Sequence, residues 1–195
     1  MENWNTRKSL LLRASNPDDH EAFEEFVYYY KNFINMVFAK LEVSESLIGD
    51  LRQELLLKLW RNIGKFDTER ANSNFRGWLS VVIKNEVYGF FRKHKKENDA
   101  RFSFSEKSPD ENDLDRLIET EWKTYITSLA LEKMKTHFDG KAMQVFDLTL
   151  AGKETAEIAS ELNLTENSVY SLRTRVKARF QSEIRQIRSF LEYSS

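Results

Sequence analysis

The chain is expected to be all-α, with two helical domains joined by a flexible acidic linker, and three observations lead there. Glycine and proline are scarce, with 6 Gly and 2 Pro in 195 residues. That is about 4%, where an average chain carries roughly 12%. An all-β chain needs a turn signal about every 8 to 12 residues, so this composition favours long helices with few connections. Apolar residues recur at spacings of three and four over most of the sequence, the period of a helix with one buried face. Charge is segregated although it nearly cancels, with 30 basic against 31 acidic side chains. From Glu97 to Glu121 nine acids face three basic residues, net −6, whereas Arg173 to Arg188 carries six basic residues against Glu183, net +5. The acidic stretch begins directly after the basic run Arg92-Lys93-His94-Lys95-Lys96.

Taken in order, residues 1–17 read as an amino-terminal segment ending in Ser15-Asn16-Pro17-Asp18-Asp19, a helix-start signal. The first helix carries Phe23, Phe26, Val27, Tyr30, Phe33, Ile34, Val37, Phe38 and Leu41 as one apolar stripe. A second runs from about Ser46 to Asn62 with Leu47, Leu51, Leu55, Leu59 and Ile63 inward. A third runs from about Asn74 to Lys95 with Phe75, Trp78, Leu79, Val82, Ile83, Val87, Phe90 and Phe91 inward. The polar stretch Gly64 to Ser73 between them is a loop and cap. These helices form a first domain at 18–96. Residues 97–113, polar, acidic and containing Pro109, are the linker. The second domain, 114–195, opens with a helix from about Leu114 to His137, followed by a short one, about Lys141 to Leu150, that Gly152 ends. Two further helices complete it, the last extending as far as Leu191.

The composition narrows the chemistry. There is no cysteine, which excludes disulfides, thiolate catalysis and thiolate metal sites and suits a reducing compartment. His20, His94 and His137 are scattered, with no pair at the i, i+4 spacing of a helical metal site, and no ligand or nucleophile cluster suggests an enzyme. No cofactor or metal is expected. Ser9 to Leu12 is the one apolar run near the amino terminus, too short for a signal sequence or a membrane span, so a cytoplasmic protein without membrane insertion is expected.

The strongest local signal is Thr155 to Lys177, which has the spacing of a helix-turn-helix. Thr155 is placed to cap the first helix, Ile158 and Leu162 to face the core, and Ala159 to allow close helix crossing. Asn163 falls where the turn demands a left-handed residue, Leu164 plugs the turn, and Thr165 caps the second helix. Val169 and Leu172 then point inward, leaving Ser168, Tyr170, Ser171, Thr174 and Arg175 outward. Short hydroxyls near a helix amino end and cations further along suit a DNA major groove, with Arg173, Lys177 and Arg179 placed for the backbone. The alternative is a plain αα-hairpin with a solvated basic face.

Two other surfaces stand out. The polar face of the third helix carries Arg76, Ser80, Lys84, Asn85, Tyr88, Arg92 and Lys95, preceded by the loop Phe66 to Phe75. Cations hold phosphates, while rings and amides stack on or bond unpaired bases, so single-stranded DNA fits, as does an ordinary solvated face. The second helix has apolar residues on more than one face, Leu56 and Leu57 lying beside the inward Leu55 and Leu59. With Asp50, Gln53, Glu54 and Lys58 nearby, this reads either as a docking surface or as a helix buried on both sides.

Three motifs in order resemble the extracytoplasmic-function group of bacterial RNA polymerase sigma factors, in the sigma-70 family. They are Asp50-Leu51-Arg52-Gln53-Glu54 with Trp60 and Phe66; Phe75-Arg76-Gly77-Trp78-Leu79 with Asn85 and Arg92; and Glu157-Ile158-Ala159 with Val169 and Arg175. The resemblance spans about residues 18 to 188 and implies a region 2-like bundle followed by a region 4-like helix-turn-helix. It implies that Asp50, Gln53, Glu54, Leu57 and Lys58 dock on the β′ clamp helices of core polymerase, with the β flap a further contact. Phe66, Phe75, Arg76, Lys84, Asn85, Tyr88 and Arg92 would take the melted minus-ten element. Ser168, Tyr170, Ser171, Arg173, Thr174, Arg175, Lys177 and Arg179 would take the duplex minus-thirty-five element. The linker would thread towards the active-site channel, its acids imitating nucleic acid, and an anti-sigma protein would be the regulatory partner. The alternative is a helix-turn-helix regulator with no part in initiation.

Overall fold

A computed structural model of the chain describes residues 7–41, 44–67, 74–96, 109–138 and 140–192, and all the elements among them are helical. They are α1 (Arg7–Ala14), α2 (His20–Phe38), α3 (Glu45–Asn62), α4 (Phe75–Lys96), α5 (Glu111–His137), α6 (Gly140–Leu150), α7 (Thr155–Leu162) and α8 (Glu166–Leu191), with a 3-10 turn at Ile63–Lys65. The expected all-α class is what the chain adopts. Most of the expected linker, 97–108, and loop residues 68–73 lie outside the described residues. By contacts the chain divides into two units, Met1–Tyr125 with Ser189–Ser195, and Ile126–Arg188.

The first unit begins with a helix in what the sequence reading gives only as an amino-terminal segment. In α1, Leu10, Leu11 and Ala14 are buried, so its short apolar run is a packing face. The chain then turns at Asn16-Pro17, where the Asp18 amide donates to Asn16 Oδ1 at 3.1 Å. Asp19 caps α2, accepting from the Ala22 amide at 2.9 Å and from Arg13 Nε at 3.1 Å. The Ala22 bond, then Arg13, hold the Asp19 carboxyl below its usual range.

The expected stripe of α2 is buried almost throughout, from Phe23 to Phe38, with Val27 half-buried. It forms an aromatic spine, Phe26 lying 4.7 Å from Tyr30 and edge-on to Phe75 of α4 at 5.8 Å. Leu47, Leu51, Leu55, Leu59 and Ile63 fill the space behind it, with Leu79, Ile83, Val87 and Phe90 of α4 also buried. Two ion pairs tie α3 to α4, Lys58 to the buried Glu86 at 2.6 Å and Lys93 to Glu54 at 2.7 Å.

Within the same unit, Leu114, Ile118, Trp122 and Tyr125 of α5 are all buried at spacings of four, four and three. Trp122 meets Phe33 edge-on at 4.8 Å, and the Tyr125 hydroxyl donates to the Tyr29 carbonyl. The end of α8 belongs here too: Phe190 packs edge-on to Tyr29 at 4.9 Å, and Tyr30 Oη donates to the Leu191 carbonyl at 3.2 Å.

The second unit is built on two apolar clusters that share Leu172. One gathers Met134, Ala142, Phe146 and Val176; the other gathers Val145, Ile158, Ala159 and Val169. Gly152, at φ +82°, ends α6 in the left-handed conformation open to glycine. Helices α7 and α8 are joined by a short turn at the expected place, with one correction to the capping. The residue capping α7 is Glu154, whose amide donates to the Glu157 carboxylate at 2.9 Å; Thr155 is already the first helical residue. Asn163 takes φ 50°, ψ 55°, and the Leu164 amide closes the turn on the Ala159 carbonyl at 2.9 Å. Thr165 Oγ1 accepts from the Ser168 amide at 3.1 Å, as a cap should.

Candidate docking surface and nucleic-acid interface

The outer side of α3 carries an open apolar hollow of about 300 Å³, lined by Phe23, Gly49, Arg52, Gln53, Leu56, Leu57 and Trp60. Its floor is Trp60, whose ring meets Phe23 edge-on at 4.5 Å and stacks on His20 at 5.1 Å. Leu57 forms part of the rim and is 49% exposed, whereas Leu55 and Leu59 have no accessible surface. Of the two readings left open by the sequence, burial on both sides is therefore excluded for Leu57. Gln53 is exposed and Asp50 half-buried beside it, while Glu54 and Lys58 spend their charges on Lys93 and Glu86. Phe23 and Gly49 join this surface through the fold, since neither lies in the motif that points to docking.

The polar face of α4 is divided. Asn85 and Arg92 are exposed, as the sequence reading has them. Arg76, Lys84 and Tyr88 are instead covered by α5. Arg76 pairs with Glu119, and its guanidinium lies 5.8 Å from the centre of the Trp122 ring. Lys84 Nζ sits 2.9 Å from Asp115 and 3.9 Å from Glu111, and only 19% of its side chain is exposed. The Asp115 hydrogen bond, then the charges of Asp115 and Glu111, push the Lys84 ammonium above its usual range. Tyr88 is raised as well, first by burial and then by Glu111 and Asp115, and its buried hydroxyl has no hydrogen-bond partner.

The two aromatic candidates differ in exposure. Phe75 is fully buried, with Phe66 edge-on to it at 5.2 Å and Trp78 at 5.5 Å. It is a core residue at the amino end of α4. Phe66 is half-buried and packs on Trp78 at 5.8 Å, so a ring at the loop's start retains an open side.

On α8, Tyr170 is 68% exposed, and Ser171, Thr174, Arg175 and Lys177 are also exposed. Ser168 is half-buried and bonded to Thr165 at the cap. Arg173 and Arg179 are engaged within the unit. Arg173 Nε donates to Thr149 Oγ1 at 3.2 Å. Arg179 pairs with Glu183 at 2.6 Å and donates to His137 Nε2 at 2.7 Å. The Glu183 side chain is 2% exposed, so Arg179 neutralises a buried carboxylate. The Arg175 guanidinium lies 5.5 Å from the centre of the Phe138 ring, which orients it at the edge of the outward face.

Residues 26–97 match the family model for sigma-70 region 2, a span that contains the α3 hollow's motif and the whole of α4. No curated protein matches the chain. Six chains of solved structures do. One is CnrH in complex with the cytosolic domain of CnrY, which is 19% identical, with 91% of this chain and 96% of that chain covered and a TM-score of 0.38. No described helix is long and apolar enough to cross a membrane.

Proposed function

We propose that this chain, which carries a sigma-70 region 2 over residues 26–97, is an extracytoplasmic-function sigma factor that directs core RNA polymerase to promoters and helps open them. The observation that supports the reading is the apolar hollow on α3, lined by Phe23 and by residues of the matched segment, whose exposed leucine suits a protein partner. Polymerase would seat its β′ clamp helices there, burying Leu56 and Leu57, with Asp50 and Gln53 at the polar edge.

The division of labour follows from the two units. Tyr170, Ser171, Thr174 and Arg175 face outward from α8 to read duplex minus-thirty-five bases, with Lys177 on phosphates. Asn85 and Arg92 of α4, with Phe66 at the loop, receive a base of the melted minus-ten element. Extruding a base costs a few kcal/mol, which stacking and phosphate contacts offset. The chain makes and breaks no covalent bonds in this scheme; polymerase carries out the synthesis. An anti-sigma protein would compete with polymerase for the apolar hollow.

Run-off transcription with purified core polymerase and a promoter-bearing template tests the proposal. Starts that depend on both this chain and the promoter are expected. Promoter binding without any starts would overturn it in favour of a helix-turn-helix regulator.

A further inference from the structure

The covering of Arg76, Lys84 and Tyr88 is too regular to be ordinary surface pairing. On α5 the three carboxylates, Glu111, Asp115 and Glu119, lie four residues apart, in a line on one helical face with a repeat of about 6 Å. On α4, Arg76, Lys84 and Tyr88 likewise fall on one face. The pairing is antiparallel: the residue lower in number on α4, Arg76, meets the higher on α5, Glu119, while Lys84 meets Asp115 and Glu111. A row of carboxylates thus sits on cations that the sequence assigns to phosphates, as phosphates sit in a row along a strand. Tyr88 differs, since its hydroxyl is buried beneath these acids with no hydrogen-bond partner among the described residues. A hydrogen-bonding group left idle by its present cover is one that a different occupant would use.

The cover is attached unevenly. Its apolar side is firmly placed through Leu114, Ile118 and Trp122. Its acids are more open to water, with Asp115 at 51% and Glu119 at 45% side-chain exposure. Exposed ion pairs are weak and salt-screened, so a polyanion can compete for the cations.

We propose that the acidic face of α5 is an internal nucleic-acid mimic that occupies part of the single-strand face of α4 in the free protein and yields to the melted strand. This rests on the reading of α4 as a strand-binding face. Asn85 and Arg92 stay exposed to make the first contact, while Arg76, Lys84 and Tyr88 are released only as α5 gives way. The free protein thereby holds single strands weakly, and a genuine promoter bubble, presented by polymerase, provides the contacts that displace the mimic.

The test measures binding of the full chain to a fluorescein-labelled random-sequence single-stranded oligodeoxynucleotide by anisotropy, at low and high salt. The variant Glu111→Gln with Asp115→Asn and Glu119→Gln is compared with a control of equal charge change on exposed residues, Asp18→Asn with Glu21→Gln and Glu24→Gln. The first is expected to bind about tenfold tighter than the control at low salt, with the advantage reduced at high salt. Adding Lys84→Ala should abolish the advantage. Equal affinity of the two triple variants, with matching circular dichroism, overturns the proposal. Run-off transcription of the same proteins separates the two ideas. Starts without a binding advantage remove the mimic and keep the sigma-factor reading; a binding advantage without starts does the reverse.

Discussion

Replacing Leu57 by Ala separates docking from folding, because leucines two positions apart on α3 have opposite environments. Leu57 is 49% exposed on the rim of the hollow, whereas Leu55 has no accessible surface. Half of a leucine side chain presents roughly 80 Å² to water, worth about 2 kcal/mol at ~25 cal/mol per Å² if a partner buries all of it. Incomplete packing and side-chain ordering at an interface lower this to about 1–2 kcal/mol, or about a 5- to 30-fold rise in Kd. Folding should scarcely notice, since alanine is a good helix former and surface changes stay within about 0.5 kcal/mol. Leu55→Ala should do the opposite, destabilising by about 2–5 kcal/mol through loss of buried contacts and the cavity left behind. The assay is competition binding of each variant to immobilised core polymerase, with thermal unfolding followed by circular dichroism. If Leu57→Ala binds core polymerase as the parent does, the hollow is not the docking surface.

Four further outcomes follow from particular side chains. Asn163→Val should destabilise the chain by at least about 1–2 kcal/mol in urea unfolding, because a β-branched residue is strained at φ 50°, while Asn163→Gly should be near neutral. Arg179→Ala should lower stability by about 3 kcal/mol in the same measurement, since it leaves the carboxylate of Glu183 buried without its cation. A matching loss is not expected from Lys177→Ala, whose side chain is exposed; that change should weaken duplex binding uniformly across sequences. Lys84 and Tyr88 both have folded-state pKa values above their ordinary ones. The contribution of Lys84 is therefore complete at neutral pH and is lost as pH rises above about 10.4, through its raised value. The stability gap between the parent and Lys84→Met should narrow over that range, and a gap that widens would contradict the Asp115 contact.

The sequence is legible where the structure is local. In the helix-turn-helix every deciding residue lies within a few positions of its partner. The Thr165 cap, the left-handed Asn163 and the inward Val169 all take their expected places. The α7 cap moved by one residue because Glu154 and Glu157 close a reciprocal pair that a Thr-first reading overlooks. The stripes of α2, α3 and α4 were equally readable from period alone. The helix α1 was missed because three consecutive leucines show no period; burial of Leu10 and Leu11 is decided by the rest of the first unit.

Side-chain roles on the charged faces were not legible, and the cause is range. Arg76 lies 43 positions from Glu119, and Arg179 lies 42 from His137, so composition could show a cation without showing its partner. Phe75 illustrates the converse: its motif follows the loop expected to take a single strand, yet its ring lies in the core, with Phe66 edge-on to it. The acidic run that begins in the expected linker continues into α5, where helical geometry aligns Glu111, Asp115 and Glu119 against cations of α4. A segment of net negative charge placed next to the proposed strand-binding face can act through solvated repulsion or through direct occupation. The alignment decides for occupation, since repulsion would leave Lys84 in water, and its side chain is instead four-fifths buried beneath two carboxylates.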